Sequence, residues 1–71
     1  MALKEEIRRQ RKRKRMTQTD LAHSVGVNLS TVTRWERGVF KPRIDDLIAL
    51  ARVFEVTEQE LMYPKEEGEV S

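Results

Sequence analysis

The sequence predicts an all-α fold: one compact domain of five short helices. Three observations predict it. Apolar residues recur three and four positions apart in successive segments, the spacing of one helix face. The sparse Gly and Pro sit between those periodic segments rather than inside them. No long strand-like alternation occurs, and 71 residues suit a single small domain.

The first segment, "LKEEIRRQRKRKR", places Leu3 and Ile7 four apart, and Arg11 continues the same stripe. Glu5 and Glu6 in its first turn and basic residues after them suit the helix macrodipole. The second, "TQTDLAHSVG", begins at Thr17, with Asp20 three residues on as in a capping box. Leu21, Ala22 and Val25 form its apolar face, and Gly26 supplies the backbone freedom that ends a helix. The third, "NLSTVTRWERG", runs from Asn28 as N-cap to Gly38 as terminator. In the fourth, Ile44, Leu47, Ile48, Ala51 and Phe54 repeat at three and four, with Asp45 and Asp46 at its N-terminal end. The fifth, "TEQELM", pairs Thr57 with Glu60 as a second capping box and anchors on Leu61. Met16 and Met62 are expected to fill the core. Residues 1–63 thus form the domain, and residues 64–71 are expected to be an acidic, disordered tail. The second and third helices, joined by a short turn at Gly26, have the layout of a helix-turn-helix.

Charge is distributed unevenly. Residues 1–15 carry eight Lys and Arg against Glu5 and Glu6, whereas residues 55–71 carry Lys65 against six Glu, so the formal net charge is only +2. A basic head of this kind points to a polyanion partner. The run "RKRKR" is expected to strengthen nonspecific attraction to DNA by counterion release. There is no Cys, which excludes disulfides and thiolate metal sites and fits a cytoplasmic location. No apolar run suffices to span a membrane, and the N-terminus lacks a signal-peptide core. His23 is the only histidine and has no second ligand in sequence, so no metal or other cofactor is expected. The Ser and Thr residues lack a base partner for nucleophilic catalysis, so the chain is not expected to be an enzyme.

The third segment has two faces when drawn at about 100° per residue. Val32 and Trp35 lie on the inner side. Ser30, Thr33, Arg34 and Arg37 cluster opposite. Arg can donate two hydrogen bonds to a guanine edge, and short hydroxyls let a helix approach closely. Leu29 lies on the border and has two readings: contact with a thymine methyl, or packing against a neighbouring helix. Glu36 lies next to the inner side, where a lone charge is costly. Arg11, on the inward stripe of the first helix, is the expected partner.

The stretch from about Leu3 to Leu61 resembles the phage repressor/Cro-like helix-turn-helix domain, often called the XRE type. "TQTDLA", Gly26, "STVTRWERG", "KP" and the "L..LA..F.VT..EL" ending carry the likeness. The resemblance implies a repressor-like fold in which the third helix enters the major groove of double-stranded DNA. By that likeness, Leu29, Ser30, Thr33 and Arg34 occupy base-reading positions. Gln18, Asn28, Arg37 and Lys41 occupy phosphate-contacting positions, and Arg11 both pairs with Glu36 and approaches a phosphate. Three departures stand out. Arg15 replaces a common Gly, Arg43 replaces a capping Ser or Thr, and Leu29 replaces a polar or basic reader.

The expected function is therefore sequence-specific transcriptional regulation of the repressor type, with a homodimer on DNA. Phe54, Leu61, Met62 and Tyr63 are the candidate dimer residues, by position. The alternative is an antitoxin or co-regulator module whose main partner is a protein held by the acidic tail.

Overall fold

A computed structural model describes residues 2–63; the acidic segment 64–71 lies outside the described residues. Five helices follow in order: α1 (Leu3–Arg13), α2 (Gln18–Val25), α3 (Leu29–Arg37), α4 (Ile44–Phe54) and α5 (Glu58–Met62). No described residue lies in a strand. The α2 helix packs on α3 and α4, while α1 packs on α3 and α5, and α4 also meets α5. The shared core holds Ile7, Leu21, Val32, Trp35, Leu47, Leu50, Phe54 and Leu61. Fully burying an aliphatic side chain such as Leu21 contributes about 1.5–3 kcal/mol.

The helix ends follow local chemistry. Thr17 accepts from the Asp20 N–H at 3.0 Å, and the Asp20 carboxylate accepts from the Thr17 N–H at 2.9 Å. This closes the capping box that starts α2. Thr57 accepts from the Glu60 N–H at 3.0 Å, but the Glu60 carboxylate turns to the Thr57 hydroxyl instead of its backbone. The second box is therefore only half of the expected one. Asn28 stands at the N-cap of α3 without using its side chain, and Arg43 likewise begins α4 uncapped. Gly26 and Gly38 close α2 and α3 in the left-handed region. Arg15, a residue with a full side chain, adopts that region as well, at φ 57°. Hydrogen bonds from Arg15 N–H to Lys12 and from Met16 N–H to Arg11 make a Schellman closure. Glu55 does the same after α4, at φ 59°, and its carboxylate pairs with Lys14 across the α1 end.

Several expectations about burial need correction. Ile44 is 64 % exposed and Met62 40 % exposed, so neither fills the core. Ile44 is the first residue of α4, and Met62 is the last of a one-turn helix; both project beyond the packed layer. Phe54 and Leu61 are completely buried and cannot form a dimer surface. Leu50, Glu6 and Gln10 are buried although the apolar spacing did not select them. The Glu6 carboxylate accepts from Arg9 at 2.6 and 2.8 Å and from Gln10 at 2.9 Å. Burial would raise its pKa, but those hydrogen bonds and the charges of Arg9 and Arg13 outweigh it and hold the carboxyl below its ordinary range.

Candidate nucleic-acid interface

The α3 helix is fastened from beneath. Val32, Trp35 and Glu36 are its buried residues. The Glu36 carboxylate accepts from Arg11 Nε at 2.7 Å and Arg11 Nη2 at 3.1 Å, while Arg11 Nη1 donates to the Met16 carbonyl at 2.8 Å. One Arg thus links α1, the turn after it, and α3. A buried carboxylate so costly when alone is held here by a bidentate, charge-assisted pair.

Two further groups complete this anchor. Gln18, first residue of α2, donates to Glu36 Oε1 at 3.1 Å. Arg8 donates to the Glu36 carbonyl at 3.1 Å, with its Nε 3.7 Å from the carboxylate. The sequence reading missed Arg8. It neighbours the stripe residue Ile7, and only the helix crossing brings it to Glu36.

The Thr33 hydroxyl stands 3.3 Å from Gln18 Oε1 and 3.1 Å from the Leu29 carbonyl. Its single hydrogen serves one acceptor at a time. Thr33 is consequently half-buried and turned toward α2, with its lone pairs still able to accept. Gln18 keeps one amide hydrogen beyond the bond to Glu36. Asp20 steadies the same helix start. The Thr17 N–H, then the Thr17 hydroxyl, lower its pKa from the ordinary value.

The outer side of α3 is open. Ser30, Arg34 and Arg37 are exposed, as is Asn28 just before the helix. Lys41 is exposed in the loop after it. Leu29 is 46 % exposed and takes no part in the hydrophobic core. That exposure leaves part of the side chain open toward the outer side, as contact with a thymine methyl requires. Arg11 differs from the other cations: its side chain is 12 % exposed and occupied by Glu36 and Met16. The arrangement is a helix with the Ser30 hydroxyl and the Arg34 and Arg37 guanidinium groups outward, held from beneath by buried polar bonds. No helix among the described residues is long and apolar enough to cross a membrane.

Comparison with known proteins bears on the fold and the family. The helix-turn-helix family profile matches residues 7–61. The cryptic phage CTXphi transcriptional repressor RstR of Vibrio cholerae is 31% identical over 61 residues. The match covers 86% of this chain and 54% of the repressor, so the chain spans about half the length of that relative. Among solved structures, the P22 c2 repressor in complex with a synthetic operator superposes with a TM-score of 0.86 at 28% identity. That match covers 92% of this chain and 98% of the other. The SinR/SinI protein complex gives 0.84 at 28% identity, over 97% of this chain and 68% of that one.

Proposed function

The chain belongs to the phage repressor-like helix-turn-helix family, and on that premise we propose that it is a sequence-specific regulator of transcription that represses by reading operator half-sites with α3. One observation carries the reading: α3 buries Val32, Trp35 and Glu36 and leaves Leu29, Ser30 and Arg34 outward. Arg34 suits a guanine edge, Leu29 a thymine methyl, and Ser30 and Thr33 accept or donate at short range. Arg37, Lys41 and Asn28 flank the helix as phosphate contacts, with the spare amide hydrogen of Gln18. Arg11 acts mainly by holding α3, with a phosphate contact as a secondary role.

One recognition helix reads few base pairs, so the active form is a homodimer on half-sites about 10–10.5 bp apart or a multiple of that. Met62 and Tyr63 remain the dimer candidates, since both are exposed. A protein partner for the acidic tail is a second reading, favoured by the likeness to a chain of the SinR/SinI protein complex.

Selection of bound sites from random DNA tests the first reading. Enrichment of a palindrome with that spacing is expected, and failure to enrich any site refutes it. Deleting residues 64–71 tests the second, which requires loss of a protein partner with DNA binding intact.

A further inference from the structure

A cavity of about 210 Å³ opens between the start of α1 and the loop from α3 to α4. Ile7 and Trp35 form its apolar floor, and Leu3, Phe40 and Pro42 contribute to its walls. Lys4 and Lys41 stand among its lining residues, with no acidic residue there among the described ones. The Lys4 stem runs over Gly38, so closely that a Cβ on Gly38 would meet Lys4 Cδ at 2.8 Å. Gly38 therefore serves twice: it takes the left-handed turn that ends α3, and it leaves room for the aliphatic stem of Lys4. Phe40 remains 44 % exposed.

We infer that this cavity is a binding site for a small amphipathic carboxylate, its apolar body against Leu3 and Phe40 above the buried Trp35 and its carboxylate between Lys4 and Lys41. An apolar pocket with a few convergent polar groups is the common form of a small-molecule site. The volume, below that of typical drug-sized sites, limits the ligand to a body of about one aromatic ring with a short acid arm. Two cations without an acid select an anion over a neutral or cationic molecule of the same shape. Because Lys41 is also assigned to a DNA phosphate, the bound carboxylate competes with DNA for that amine. This competition, unlike the site itself, rests on the proposed DNA reading.

Trp35 is the only tryptophan in the chain, so its emission reports the cavity directly and without DNA. The full chain is titrated with 3-phenylpropanoate and, separately, with neutral 3-phenylpropanol. Saturable change in Trp35 emission is expected with the acid, together with amide shifts at Gly38 and Phe40. The alcohol and the Lys4→Gln variant should each bind about fivefold more weakly. Equal binding of acid and alcohol, or shifts away from Gly38 and Phe40, overturns the site. A Trp35 signal that follows protein concentration instead of ligand overturns it in favour of a second copy of the chain. In a separate arm, the acid should weaken DNA binding by the wild type; unchanged DNA affinity at saturating acid overturns the competition. A chain that binds the acid but no DNA leaves the site standing and refutes the DNA reading alone.

Discussion

Arg11 and Glu36 meet through two parallel hydrogen bonds, 2.7 Å and 3.1 Å long, across 25 positions of sequence. Glu36 is 2 % exposed, so its carboxylate oxygens rely on protein donors rather than water. Arg11→Ala should cost about 3–5 kcal/mol, because it leaves a buried carboxylate with only Gln18 and the more distant Arg8. The double variant Arg11→Met with Glu36→Leu should lose much less, since no unpaired charge remains. Urea unfolding of Arg11→Met, Glu36→Leu and their double variant closes the double-mutant cycle, with Arg11→Ala measured alongside. A loss below about 1 kcal/mol for Arg11→Ala would show that the pair does not fasten α3.

Arg15 holds a left-handed backbone at φ 57° with a full side chain, which costs about 1 kcal/mol or more. Arg15→Gly removes that cost and adds chain entropy to the unfolded state, so the net gain should be about 0.5 kcal/mol. Arg15→Val, β-branched, should instead destabilise. Thermal melts give the order directly, and a melting temperature lower for Gly than for wild type would contradict the strain.

The helices were legible because each carries its own signals: a three-four apolar spacing, a capping Thr, or a closing Gly. The pairing of Arg11 with Glu36 was legible for a different reason, since both charges fell on inward faces and needed a partner. What escaped the sequence is what depends on helix crossing. Glu6 and Gln10 are polar yet buried, and periodicity assigns polar residues to the outside. Gln18 and Thr33 touch across two helices, and no one-dimensional spacing encodes that contact. Ile44 fits the apolar stripe of α4, but as the first residue of the helix it extends past the core. Chain position alone points Phe54 and Leu61 to a dimer surface, and chain position carries no information on burial.

Glu6 gives the fold a defined acid sensitivity. Its pKa is lower in the folded chain than the ordinary glutamate value of about 4.3. The stabilisation is therefore complete above that value and is lost as the pH falls through the folded pKa. Glu6→Gln should flatten the fall in stability below about pH 4.3 and also lower stability at pH 7. Urea midpoints measured from pH 7 to pH 3 test this; an unchanged slope in the variant excludes Glu6 as a contributor.

Leu29 is half-exposed at the first position of α3. Leu29→Ala should leave stability within about 0.5–1 kcal/mol of wild type, as little burial is lost. If Leu29 meets a thymine methyl, replacing one operator thymine by uracil should weaken wild-type binding by about 1 kcal/mol. The same replacement should have no effect on the Leu29→Ala variant. Equal effects of uracil on both proteins would remove Leu29 from the set of readers.

Arg34 and Lys41 are both exposed cations proposed to contact DNA, yet they should fail differently. Arg34 projects from the outer face of α3, where a guanidinium can donate two bonds to one guanine. Arg34→Ala should cost about 1–3 kcal/mol on the preferred site and much less on altered sites, relaxing the preference at one base pair. Lys41 stands in the loop beyond Gly38, where a point charge meets phosphate without reading sequence. Lys41→Ala should weaken all DNA about equally and lower the salt slope by about one. Binding measured over a salt series, on the preferred site and on single-base variants, separates the two. An Arg34→Ala loss spread evenly over sequences would make Arg34 a phosphate contact, and a Lys41→Ala loss confined to one base pair would make Lys41 a reader.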